Sequence, residues 1–136
     1  MMKNDIQNRK DIRKLVGTFY EKLLKDEVFN YIFLEVAKVD VLEHMDIIID
    51  FWESALFQAG KYKDDLIEVH LNLNQQFNYG LNKEHFNKWL ALFNQSVDEI
   101  FEGENATGAK TRARSIATII KMKIDNLERK RLEYNN

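Results

Sequence analysis

Three histidines and no cysteine bound the chemistry open to this 136-residue chain. Disulfides, thiolate metal sites and cysteine nucleophiles are excluded. Zinc takes three or four protein ligands, and no two of His44, His70 and His85 stand four apart, as a His-Glu-x-x-His helix requires. Glu43 and Glu84 directly precede His44 and His85, so neither "VLEH" nor "NKEH" offers the Glu-x-x-His of a di-iron bundle. Ser54, Ser96 and Ser115 lack a Gly-x-Ser-x-Gly setting, and no glycine-rich loop is present to cradle a phosphate.

His44 and His70 are the histidines to weigh. Each falls on the apolar stripe of a different helical segment. One ligating histidine in a greasy, aromatic surround suits heme iron better than zinc. The plainer reading is a hydrogen-bonded core histidine, and the residues alone leave that reading ahead. Phe19, Phe33, Phe51, Trp52, Phe86, Trp89 and Phe93 likewise fill a core as readily as they line a cofactor. Tyr20 borders the first stripe, four after Val16, and a buried hydroxyl needs a partner. Tyr20, His44 and Trp89 are three polar tips on apolar faces, enough for a small donor cluster.

The elements that must position these residues are helices. Ile12, Leu15, Val16, Phe19 and Leu23 keep three-four spacing in "DIRKLVGTFYEKLLKD", and Asp11 suits the start of that helix. The aromatic "EVFNYIFLEVA" turns a corner. A second long helix is expected from about 40 to 59, with Val41, His44, Ile48, Phe51, Trp52 and Ala55 on one face and Gly60 as terminator. A short helix over about 63–70 carries Leu66, Ile67 and His70, and residues 72–81 read as irregular. Asn82 is a plausible N-cap for a helix to about 101, faced by Phe86, Leu90, Phe93, Val97 and Ile100 with Trp89 beside them. His85 reads as structural. "EGENATG" breaks the chain before a last helix from about 106, with Ile116, Ile120, Ile124 and Leu127 inward and a charged end prone to fray. With no proline, five glycines and no alternating pattern, the class is all-α.

Composition adds bounds. A 45% hydrophobic, 31% charged chain of this length builds one ordinary domain, here 1–136, with a core over about 11–124 and a charged tail over about 125–136. A formal net charge of −2 predicts no particular partner. Lys110, Arg112, Arg114, Lys121 and Lys123 read as the solvated face of the last helix rather than a nucleic-acid surface. No run is apolar enough to span a membrane, no signal-peptide pattern is evident, and the cytoplasm is the simplest compartment.

The order and spacing of several stretches resemble the truncated hemoglobins, and specifically their third group. "FYEKLLKD" looks like the distal tyrosine segment with Tyr20, and "YIF" like the one whose Phe33 packs on the heme. "EHMDIIIDFWESAL" is similar to the helix bearing a distal histidine, here His44, and "KYKDDLIEVHL" to the segment leading to the proximal histidine, here His70. "LNKEHFNKWLALFNQSVDEIFEGENA" places Trp89 at the distal tryptophan, and "AKTRARSIATII" resembles the last helix. The likeness covers about residues 11–124, and the paired-glycine motifs of the other two groups are missing. The stretch between His70 and Trp89 is a few residues longer than in the family, and Val41 stands where relatives often have tryptophan.

The resemblance implies a globin-like, truncated helical sandwich around a heme pocket holding heme b. It implies His70 as the iron ligand, and Tyr20, His44 and Trp89 as donors toward a diatomic ligand (O2, NO or CO). Phe33, Phe51, Trp52 and Phe93 would complete the cofactor contacts. It further implies an electron-donating reductase partner and room for NO dioxygenase or peroxidase-like chemistry. A helical interaction domain of the same fold without heme, or a gas sensor, are the alternatives.

Overall fold

A computed structural model describes residues 3–38, 40–58, 66–77 and 80–134. The helices are α1 (Arg9–Lys25), α2 (Glu27–Tyr31), α3 (Val41–Phe57), α4 (Leu66–Gln76), α5 (Lys83–Ile100) and α6 (Glu104–Tyr134), with one π-helical turn over Ile32–Val36 between α2 and α3. No strand occurs among the described residues.

Local chemistry starts α1, α2 and α3. Asn8 caps α1 by accepting from the Asp11 N–H, while Asp11 accepts from the Gln7 N–H, so Asp11 sits one turn inside the start. Asp26 caps α2 through the N–H groups of Val28 and Phe29, and its carboxylate also pairs with Lys88 of α5. Asp40 caps α3, which ends at Gln58 in the left-handed conformation. The expected terminator, Gly60, lies outside the described residues, as do Lys61–Asp65 at the expected start of the next helix.

Asp5 caps α6 from almost a hundred residues away. The N–H groups of Asn105 and Ala106 donate to its two carboxylate oxygens, each at 2.9 Å. The Asn105 side-chain amide donates to the Ile6 carbonyl at 2.7 Å, and the Glu102 N–H to the Asn4 carbonyl at 3.0 Å. Gly103 makes this approach possible. Its φ is +144°, and a Cβ there would sit 2.4 Å from the Asp5 Cγ. The N-terminal segment is thereby pinned under α6, with Ile6 fully buried.

α1 packs on α3 and α5, α5 on α6, and α6 also receives α3 and α4. The core is one cluster, with Ile12, Leu15, Val16, Phe19 and Leu23 of α1 against Phe93 and Val97 of α5 and the alanine-rich face of α6. Ala106, Ala109 and Ala113 are buried, and small side chains let that end of α6 lie close to its neighbours. Arg9 of α1 donates to Asp50 at 2.7 Å and to Glu53 at 2.9 Å, tying α1 to α3.

Three expectations change. The stretch after His70 is helical through Gln76 rather than irregular, because Leu71 and Leu73 pack on the core and α4 lies against α6. The last helix begins at Glu104 and continues to Tyr134. Leu127 keeps the helical period but is 48% exposed, since the last buried position of that face is Ile124. The basic residues behave as a solvated face where their partners are seen: Lys110 pairs with Asp98, and Lys121 with Asp125 one turn on. Among the described residues no helix is long and apolar enough to cross a membrane.

Candidate functional site

α1 delivers Tyr20 to the interior because four turns of apolar residues face the core and Tyr20 follows Phe19 on the edge of that stripe. Its hydroxyl is 2.9 Å from His44 Nε2. Tyr20 is 5% exposed, and burial pushes its pKa well above the ordinary phenol value. It therefore stays an O–H, and the pair shares one hydrogen, either from the hydroxyl to Nε2 or from an Nε2–H to the phenolic oxygen, as the imidazole tautomer sets. His44 is less basic than usual, first because it is desolvated and then because His70 is close enough for its charge to be felt.

The π-helical turn brings Phe33 into the same corner. A wider turn inserts an extra residue into helical spacing and re-aims the side chains after it. Phe33, Tyr20 and His44 form a ring triad with centroid distances of 5.6 Å (Tyr20–Phe33), 5.5 Å (Tyr20–His44) and 5.6 Å (Phe33–His44).

Phe19 extends the triad into α5, with its ring 5.6 Å from Tyr20, 5.4 Å from Trp89 and 5.2 Å from Phe93. Trp89 stacks on Phe93 at 5.7 Å, and Phe93 stacks on Trp52 at 4.9 Å. Phe51 meets Trp52 edge-on at 5.1 Å. One unbroken chain of rings thus links α1, the π turn, α3 and α5. Within it Tyr20 and His44 are joined by their polar atoms. Trp89 joins by stacking on Phe93 and by a T-shaped contact with Phe19. Trp52 and Phe93 are 2% and 0% exposed and form the dry interior end; Phe33, Phe51, His44 and Trp89 are half-buried.

His70 arrives separately, on α4. Its Nδ1 is 2.8 Å from the carbonyl of Leu66, one turn back on the same helix. A carbonyl only accepts, so Nδ1 carries the hydrogen and Nε2 holds the lone pair. Nε2 has no hydrogen-bond partner among the described residues. Burial lowers the basicity of His70, opposed in part by the Leu66 carbonyl. The result is a neutral imidazole of fixed tautomer whose second nitrogen meets no partner among the described residues. The side chain of Ile67, expected beside it, lies outside the described set.

Asn74 is the residue that sequence reasoning passed over. It stands one turn beyond His70, is 4% exposed, and its Oδ1 accepts from the Leu81 N–H at 3.1 Å. The signal was available: an asparagine four residues after the histidine on the same helical face, inside a stretch read as loop. His85 caps the next helix, its Nδ1 accepting from the Asn82 N–H at 3.1 Å.

A neutral histidine whose Nε2 has no partner among the described residues, near a second histidine hydrogen-bonded to a tyrosine in an aromatic surround, fits the donor set of a heme site. No protein-family model matches the chain. It is 31% identical over 120 residues to a group 3 truncated hemoglobin of Campylobacter jejuni, the match covering 86% of this chain and 91% of that protein. A crystal structure of a group III truncated hemoglobin from Campylobacter jejuni resembles the fold with a TM-score of 0.78 at 30% identity, over 90% of this chain and 95% of that one.

Proposed function

This chain belongs to the group III truncated hemoglobins, and on that premise we propose that it binds heme b with His70 as the protein ligand of the iron and takes a diatomic gas (O2, NO or CO) beside Tyr20. The observation that carries this reading is the His70 Nδ1–H donated to the Leu66 carbonyl at 2.8 Å, which leaves the lone pair on Nε2 of a neutral ring, with no partner among the described residues. Iron coordination requires a deprotonated nitrogen, and a fixed hydrogen bond on the other nitrogen sets ring orientation and ligand basicity.

Bound heme would supply reversible gas binding and one-electron redox chemistry. The chain's residues supply the surroundings. Tyr20 presents an O–H at any ordinary pH and is held by His44 until a better acceptor offers itself. His44 then stands beside it as a second donor or as a side chain that swings at the pocket entrance. The Trp89 indole N–H is a third donor within the same ring cluster. Phe33, Phe51, Trp52 and Phe93 provide apolar surface that keeps water from the polar tips.

Several donors around a bound ligand slow its release. That arrangement favours oxygen chemistry, such as nitric oxide detoxification or peroxide activation, over easy-release transport. Such chemistry needs an electron-donating reductase, and the cytoplasm is the compartment this reading implies. The deciding experiment is the set of ferric, ferrous and CO-bound absorption spectra of wild type beside His70→Ala. Wild type should show the bands of a histidine-ligated heme and the variant should lose them; absence of a Soret band in wild type after heme addition refutes the reading.

A further inference from the structure

The start of α5 uses a histidine as a hydrogen-bond acceptor. Asn82 Oδ1 accepts from the N–H groups of Glu84 at 2.9 Å and His85 at 3.4 Å, and the Asn82 N–H donates to His85 Nδ1 at 3.1 Å. A backbone N–H can only donate, so His85 Nδ1 must be unprotonated and the ring hydrogen must lie on Nε2. Glutamate or glutamine usually fills this place in a reciprocal cap, and both accept throughout the neutral range. A histidine accepts only while uncharged.

We propose that His85 is a proton-operated latch on the corner between α4 and α5: neutral, it closes the cap on Asn82, and protonated, it releases the Asn82 N–H.

Among the described residues, Glu84 and Asp26 are the charged groups felt by the ring. Glu84 precedes it on α5. Asp26 comes from the cap of α2, and Lys88, one turn further along α5, is paired with Asp26. Phe77 covers the ring edge-on from the end of α4, centroids 5.8 Å apart. Burial opposes a proton on His85, while the Glu84 and Asp26 carboxylates favour one; burial wins and the ring is less basic than usual. The positive end of the α5 dipole acts in the same direction as burial.

The corner is tied to α4 by neighbouring bonds. Leu81, next to the latch, donates its N–H to the buried Asn74, and Gly80 donates to the Phe77 carbonyl at 3.0 Å. Asn74 lies one turn beyond His70 on α4. Release at Asn82 therefore loosens the segment that anchors the histidine-bearing helix. Its effect on a heme ligand rests on the assignment of His70; the latch itself does not.

The sign follows from linkage. The open corner binds a proton near the ordinary histidine value of about 6.5 and the closed corner binds it less well. The latch is fully effective above that pH and weakens as pH falls toward the depressed value. The test uses the full chain and residue-resolved amide exchange between pH 7.5 and pH 5, with the His85 ring titration followed by NMR. Wild-type protection at Asn82 should fall by up to about tenfold per pH unit below about pH 6.5. His85→Gln, which caps without titrating, should hold its protection, and His85→Ala should be weakly protected throughout. Two results overturn the proposal: a fall in His85→Gln as steep as in wild type, or a His85 ring that titrates at or above about 6.5. Neither readout depends on His70, so a failure here is distinct from a failure of the heme assignment, which the spectra report.

Discussion

The Tyr20 hydroxyl and His44 Nε2 lie 2.9 Å apart, and burial keeps the phenol protonated while lowering the basicity of the imidazole. On the proposed reading, a gas bound beside Tyr20 would compete with His44 for the tyrosine hydroxyl. Tyr20→Phe removes the donor and leaves the shape. In the ferrous protein the oxygen off-rate should rise about 10- to 100-fold, the equivalent of one strong hydrogen bond of roughly 1.5–3 kcal/mol. Stopped-flow ligand displacement reads this directly, and an unchanged off-rate removes Tyr20 from the proposed role.

His70→Gly should lose the histidine-ligated spectrum, and added free imidazole should restore it in part, because the vacated space and the Leu66 carbonyl still accept and orient a ring. Titrated spectra report this. Failure of imidazole to restore any histidine-like band, in a variant that still folds and takes up heme, places the iron ligand elsewhere.

Acid should weaken the fold through His44 and His70. Both are less basic in the folded chain than an ordinary histidine, chiefly because of burial. The unfolded chain therefore binds the extra protons near the ordinary value of about 6.5. The stability that depends on neutral rings is complete above that pH and declines as pH falls through the folded values. Urea midpoints of the heme-free chain between pH 7.5 and pH 5 should fall, and His70→Gln should flatten part of that fall.

Asp5 has the opposite acid–base character. Burial pushes its pKa up, but the N–H groups of Asn105, Ala106 and Ile6 together hold it below the usual aspartate range. Its contribution is present above about pH 3.9 and is lost as pH drops through the folded value. Asp5→Ala removes a helix cap and should cost about 1–2 kcal/mol at neutral pH. Thermal melts measure this, and a midpoint equal to wild type means that water caps α6 equally well.

Gly103→Ala meets two obstacles at once, a φ of +144° and the Asp5 side chain where the methyl must go. A loss of about 2 kcal/mol or more is expected from the backbone conformation and the clash together. In combination with Asp5→Ala the clash disappears and the backbone strain remains, so the double variant should be less unstable than the two single losses added. Strict additivity in a double-mutant cycle shows that the methyl does not meet Asp5.

The site was legible to the degree that its chemistry is local. Helical spacing put Tyr20, His44, Phe93 and Trp89 on inward faces, and Asn82 and His85 announced the start of α5. The spacing of α4 was harder to read. Its second half holds Asn72 and Asn74, a residue type that favours turns in isolation, while packing against α6 and the Asn74–Leu81 bond support the helix. Leu127 failed in reverse: the period continues, but the core it should meet has ended.

What the sequence by itself determined was the helical class, the starts of α1, α3 and α5 and the family, because those caps and the amphipathic period are encoded within a few residues of where they act. The tertiary structure decided which polar tips meet. Tyr20 finds His44 across 24 positions, and Asp5 reaches the start of α6 across a hundred. Contacts between distant residues depend on how helices cross and where the chain turns back, and no local pattern carries that information.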